Sequence, residues 1–297
     1  MRHATILVLV GLLAIPLQGC SLLFGHVYRA RTSFSTQVDH VVGAGLTVKT
    51  RNGSVEVVAS PDASEVSITA RLTCGGDTQE EADARLAAAT VSVTRAADRR
   101  LLIEPVFPGG PRSGDGASIV VGLPDATGVH LDTSNGSVIA RGLGGRLVID
   151  TSNGSIEVSD HRGPAEIDTS NGGVTVVGHV GSLNADTSNG RVRVEDLDGP
   201  ARIDTSNASI NLTLAPTQSG PLNLDTSNGS ISVVVGPAFV GAVSFSTSNA
   251  SLSVKDNLGR INRKNLRKSR GTIVVGTGGD SSRLDTSNGR IVFEIRG

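Results

Sequence analysis

Asp-Thr-Ser-Asn begins at Asp132, Asp150, Asp168, Asp186, Asp204, Asp225 and Asp285, and Ser246-Thr247-Ser248-Asn249 is an eighth copy that has lost only its Asp. The spacing is 18 four times, then 21 twice, then 39. Apolar residues alternate on both sides of each copy, as in Leu147 and Ile149 before Asp150-Thr151-Ser152-Asn153 and Ile156 and Val158 after it. Period-two alternation rich in β-branched residues reads as strands with one buried face. Each unit therefore holds two short strands joined at Thr-Ser-Asn-Gly. Asn-Gly also suits a hairpin turn, which would give an up-and-down sheet or barrel. Hairpin loops, however, have no reason to repeat one length and one sequence. A solenoid does, because each unit lies on its neighbour and like residues stack about 4.8 Å apart. Stacked Asn side chains then bond one to the next.

The fold class predicted is all-β: a single-stranded parallel β-helix or β-solenoid of about nine or ten coils, 18–21 residues each. A right-handed, compressed helix fits better than a left-handed hexapeptide helix, which needs an apolar residue every six positions. It also fits better than a calcium β-roll, whose Gly-Gly-x-Gly-x-Asp nonapeptide is absent. Lys49-Thr50-Arg51-Asn52-Gly53 reads as an isolated early coil. Arg267-Lys268-Ser269-Arg270-Gly271 fits the same frame, so the gap of 39 reads as 21 plus 18, with Arg267 over Asp285. Between residues 58 and 130 the repeat breaks. An acidic, Ala-rich stretch at about 77–89 predicts one helix, and the block is expected to cap the solenoid.

At the N-terminus, an apolar run from Ala4 to Leu17 is short for a membrane span, which needs about 20 residues. It ends in Leu17-Gln18-Gly19-Cys20, which resembles the lipobox of bacterial lipoproteins. That resemblance implies lipidation of Cys20 as the first mature residue. With Ser21 following, it also implies an outer-membrane location in a cell with two membranes. Cys74 is then left without a disulfide partner. The expected organisation is a signal peptide over 1–19, a tether over 20–32, a first coil and capping region over 33–130, and the repeat solenoid over 131–297.

The lipobox, the early Asn-Gly coil, the Ala-rich helix, Ile119-Val-Val-Gly-Leu-Pro124 and the serial Thr-Ser-Asn-Gly units together resemble one family. It is the bacterial "putative adhesin" β-strand-repeat family, a domain-of-unknown-function group. The resemblance spans about Ser33 to Gly297 and implies a β-helical envelope protein with no established enzymatic activity. Ala208 and Ala250, in place of the motif Gly, depart from it, as does the Arg267–Arg270 copy.

Composition narrows the partners. Aromatic content is 2% with no Trp, so the chain has little on which to stack sugars or single-stranded nucleic acid. The formal charge is −1, which recruits no nucleic acid. The expected contacts are the membrane, through the lipid, and an unidentified envelope protein or glycan. No cofactor is expected.

Four features could carry chemistry. The structural ladder should comprise Asp132, Asp150, Asp168, Asp186, Asp204, Asp225 and Asp285 with Asn135, Asn153, Asn171, Asn189, Asn207, Asn228, Asn249 and Asn288. Carboxylates about 4.8 Å apart repel by roughly 0.9 kcal/mol per neighbour even in water. Backbone N–H bonds from each Asp's own turn would offset this. Bound Ca²⁺ is the alternative, but Lys49, Ser246 and Arg267 stand at the same place in other copies. The basic run Arg260, Arg263, Lys264, Arg267, Lys268 and Arg270 could bind anionic glycan or lipid, or could be a solvated turn. His161 and His179, one repeat apart, read as a solvated turn rather than a metal site. Glu157 and Glu166 are the one acid pair a glycosidase reading could use. No Ser-His-Asp set is apparent, so the chain reads as no enzyme, with a polysaccharide lyase or hydrolase as the remotest option.

Overall fold

The structure is a computed structural model and describes residues 28–297. The leader over 1–19 and Cys20 lie outside the described residues, as does the tether up to residue 27. Residues 28–32, expected as tether, open the first strand, β1 (Tyr28–Asp39).

The chain then forms β2 (Leu46–Lys49), β3 (Val55–Ala59), β4 (Glu65–Gly76), α1 (Gln79–Ala88), β5 (Thr90–Arg95), β6 (Leu101–Val106) and β7 (Gly116–Leu123). The repeats follow as pairs of strands: β8 (Gly128–Thr133) and β9 (Val138–Arg141), β10 (Arg146–Thr151) and β11 (Ile156–Ser159), β12 (Ala165–Thr169) and β13 (Val174–Val177). Next come β14 (Leu183–Thr187) and β15 (Val192–Leu197), β16 (Ala201–Thr205) and β17 (Ile210–Leu214), β18 (Leu222–Thr226) and β19 (Ile231–Val235). The C-terminal part holds β20 (Gly241–Thr247), β21 (Leu252–Asp256), β22 (Ile261–Leu266), β23 (Arg270–Val275), β24 (Ser282–Thr286) and β25 (Ile291–Ile295).

Two sheets of 12 and 13 strands face each other. Each repeat contributes one strand to each sheet, and the pairing between repeats is parallel and in register: Ile149 opposes Ile167, and Ile156 opposes Val174. The fold is thus a two-sheeted parallel β-solenoid. Ten rungs run through both sheets. The twelve-stranded sheet spans eleven steps of about 4.8 Å, or about 53 Å. The inward columns Leu131–Ile149–Ile167–Ala185–Ile203–Leu224–Leu284 and Val138–Ile156–Val174–Val192–Ile210–Ile231–Ile291 are at most 1% exposed. They form the core that the alternation predicts.

At both ends the rungs are out of chain order. The rung β2/β3 sits between β6/β7 and β8/β9. The last rung, β24/β25, inserts between β18/β19 and β20/β21. Burial explains the second exchange. In β25, Ile291, Phe293 and Ile295 are fully buried, and Phe293 meets Phe239 and Phe245 edge-on with centroids 5.7 and 5.6 Å apart. In β21, Leu252 and Val254 are only half-buried beside Lys255 and Asp256. Placing the more apolar rung inside leaves less apolar surface in water.

The Arg267–Arg270 segment is not a coil, which corrects the division of 39 into 21 plus 18. β22 and β23 form an antiparallel hairpin that pairs antiparallel with β20, so Arg270 lies opposite Ser246 and Arg267 does not lie over Asp285. The coil frame would put Lys268 in the buried Thr position, and an unpaired buried ammonium is costly. The early copy keeps Thr50 there, and it is a true rung: Lys49 opposes Asp132 and Val55 opposes Val138.

The opposite end is closed by the antiparallel strands β1 and β4 and by α1. Thr78 caps the helix by accepting the Glu81 N–H, and Glu81 in turn accepts the Asp77 N–H. Arg85 of α1 reaches the buried Asp115 at 2.5 Å.

Candidate functional site

Alternation turns each motif Thr inward and each Asp and Ser outward. The buried Thr hydroxyl donates to the motif-Gly carbonyl of the rung below, as from Thr151 to Gly136 at 3.3 Å and Thr187 to Gly172 at 3.2 Å. It also accepts the N–H of its own Gly, as from Gly172 to Thr169 at 3.1 Å. Gly lets the rungs touch there: a Cβ on Gly172 would lie 1.7 Å from the Gly154 oxygen. Where Ala208 replaces the Gly, the buried Thr205 hydroxyl has no partner among the described residues.

The outer edge of this corner is the Asn ladder. Asn135 donates to Asn52 at 2.7 Å, and Asn153, Asn171, Asn189, Asn207 and Asn228 each donate to the rung below at 2.7–2.8 Å. Asn288 then donates to Asn228 at 2.7 Å and Asn249 to Asn288 at 2.6 Å, following the exchanged rung order. Asn52 ends the chain on the Asp115 carbonyl at 2.8 Å. The nine amides point one way.

Beside it runs the Asp column, in register from Asp132 to Asp285. Its first five members, Asp132 to Asp204, line an open groove of about 480 Å³ with Ser134, Ser152, Ser170, Ser188 and Ser206. Among the described residues, none of the seven carboxylates accepts a backbone N–H, which corrects the expectation that their turns neutralise them. Asp150 meets His130 at 3.0 Å and Asp285 meets Arg283 at 2.6 Å. Desolvation, then repulsion from neighbouring Asp side chains, holds Asp168, Asp186 and Asp225 above the usual carboxylate range. No group of three or more His, Cys, Asp or Glu is placed to hold a metal among the described residues.

The six cations of the basic run lie on or beside the β22–β23 hairpin. Arg263, Lys264, Arg267, Lys268 and Arg270 are exposed and make no salt bridge among the described residues, while Arg260 donates to the Pro237 carbonyl. β22 is the outermost strand of its sheet, and charge on such an edge blocks further pairing.

His161 and His179 depart from expectation. They are 1% and 0% exposed, inside a corner column completed by Leu143 and Leu197. Their Nδ1 atoms are 3.1 Å apart while the ring centroids are 5.0 Å apart, so the rings meet edge to edge. Nε2 of His161 faces the Gly145 carbonyl at 3.0 Å and Nε2 of His179 faces that of Ser182 at 3.3 Å. Burial, then the neighbouring ring, lowers the pKa of His161 to about 4, and burial lowers that of His179. The two leucines, one repeat to either side, were the available sign that this position faces inward.

Glu157 and Glu166 lie on different sheets, in β11 and β12. Glu157 pairs with Arg141 at 3.0 Å and Glu166 pairs with Arg146. They do not form an acid pair.

No family model matches the chain, and comparison with curated proteins finds no relative. Two solved structures overlap it. One is a "putative cell adhesion protein" from Clostridium sporogenes, 8% identical, covering 90% of this chain and 100% of that one with a TM-score of 0.29. The other is a "putative adhesin" from Parabacteroides distasonis, 14% identical, covering 89% and 97% with a TM-score of 0.38.

Proposed function

We propose that this chain is a lipid-anchored, non-enzymatic β-solenoid of the cell envelope that acts as an adhesin or surface scaffold. The observation that carries the reading is the corner of like side chains: nine bonded Asn beside seven Asp in register. Such a face offers the same contact at every rung, which suits binding to a repetitive surface more than a single reaction. Cys20 is the proposed anchor, and the outer membrane its proposed place. The test is labelling with radioactive palmitate in cells, followed by pull-down from intact envelopes. Label and envelope retention lost together in Cys20→Ser support the reading. Unlabelled wild-type protein contradicts the anchor, and wild type that captures no envelope component contradicts the adhesin role.

A second reading rests on the basic hairpin, whose exposed cations lack counter-charges among the described residues. It is capture of an anionic glycan. Salt-sensitive binding lost in Arg263→Glu/Lys264→Glu/Lys268→Glu would favour it.

A further inference from the structure

At the end of the stack opposite the basic hairpin, antiparallel pairing builds a second basic site that the sequence scatters. β1 pairs with β4 so that Arg31 lies opposite Thr73 and Ser33 opposite Arg71; β4 pairs with β7 so that Arg71 lies opposite Ser118. Arg29, Arg31 and Arg71 thus share one solvent face and, with the Ser113–Gly116 loop, line a cleft of about 380 Å³. No side-chain bond or salt bridge to any of the three exists among the described residues. The single acid in the lining, Asp115, is turned away: its side chain is 0% exposed and is held by Arg85 and by the N–H groups of Gly75 and Arg112. Three guanidinium groups therefore face water beside hydroxyls without a counter-charge among the described residues. Arginine's planar fork matches phosphate oxygens, and a phosphate would relieve the repulsion among the three.

We propose that this cleft binds a phosphate group. A membrane phospholipid headgroup and a soluble phosphate ester are the two sources of that chemistry. Position favours the lipid. Tyr28 stands eight residues after Cys20, a reach of about 28 Å at most. The cleft would then seat the near end of the rod on its own leaflet and point the basic hairpin, some 50 Å away along the stack at about 4.8 Å per rung, outward. Only this choice of source rests on the anchor proposed above.

The test uses the full mature chain with Cys20→Ser, so no acyl chain contributes and failure of the anchor reading leaves the result unchanged. Co-sedimentation is measured with vesicles containing phosphatidylglycerol and with vesicles of phosphatidylcholine alone. Glycerol phosphate is titrated separately by calorimetry. Binding to the anionic vesicles should fall about thirtyfold in Arg31→Gln/Arg71→Gln, at about 1 kcal/mol per arginine. The hairpin variant Arg263→Gln/Lys264→Gln/Lys268→Gln reports the separate contribution of the other basic end and should lose less than the cleft variant on that scale. Glycerol phosphate binding that the cleft variant loses, without vesicle binding, supports the site and assigns a soluble ligand. Unchanged binding by the cleft variant, loss in the hairpin variant alone, or no binding to either probe overturns the proposal. Unchanged urea midpoints establish that the variants fold.

Discussion

Acid should destabilise this protein through His161 and His179. Three contacts surround the pair: Gly145 O, the Nδ1–Nδ1 contact and Ser182 O. Each needs one N–H, and two neutral rings carry two. A first proton would put a charge into a buried site with no acid paired to it among the described residues, and a second would place two positive rings side by side in the core. His161 falls from 6.5 to about 4 in the fold. Between those values the folded state binds fewer protons than the unfolded chain. Its contribution is therefore complete above pH 6.5 and is lost as pH falls toward 4. At about 1.4 kcal/mol per unit, the His161 contribution is about 3 kcal/mol at most, of which about 2 kcal/mol is gone by pH 5. Urea melts at pH 7 and pH 5 measure it, comparing wild type with His161→Leu/His179→Leu, which extends the Leu143 and Leu197 column. The variant should lose about 2 kcal/mol less than wild type over that interval. Equal losses would refute the reasoning.

Gly172→Ala should destabilise by about 3 kcal/mol or more, because its Cβ would meet the Gly154 oxygen. Ala208→Gly should stabilise by about 1 kcal/mol, because without the Cβ the rung can close and bring the backbone N–H of residue 208 within reach of the Thr205 hydroxyl; thermal melts check both. Asp168 is raised in the fold, so its charge opposes folding at neutral pH and the penalty lifts as pH falls through its folded pKa. Asp168→Asn should therefore stabilise at pH 7 by up to about 1 kcal/mol after solvent screening, with the gain shrinking in high salt. EDTA should leave the thermal midpoint unchanged; a large drop would restore the Ca²⁺ reading of the Asp column.

The rungs were legible because their cause is local. Alternation fixes which residues turn inward, and the constant repeat period fixes what stacks on what. The Arg267–Arg270 segment was misread as a coil because its frame was weighed and its Lys268 was not: a lysine in the buried Thr place forbids that coil. What could not be read is where pairing ignores chain order. Nothing near Asp285 states that its rung slips beneath Ser246; that follows from comparing Ile291, Phe293 and Ile295 with the poorer core residues of β21. The histidines were misread as solvated because each was judged by its own turn, not by the column Leu143–His161–His179–Leu197. Arg71 joins Arg29 and Arg31 only through antiparallel pairing of β1 with β4, strands set well apart in the sequence, which no short motif announces. The leader and Cys20 reading stands on the sequence alone.

Pairwise cysteine cross-linking in a Cys20→Ser background tests the stacking most directly. Cys74 is buried, with its thiol pushed up to about 11, and stays inert. Neighbouring rungs set Cα atoms about 4.8 Å apart, within disulfide reach, and alternate rungs about twice that, beyond it. Ser170→Cys/Ser188→Cys and Ser227→Cys/Ser287→Cys should therefore oxidise to disulfides, whereas Ser227→Cys/Ser248→Cys should not. A disulfide in the last pair together with none between 227 and 287 would put the rungs back in chain order, and failure of the 170–188 pair would contradict the parallel solenoid itself.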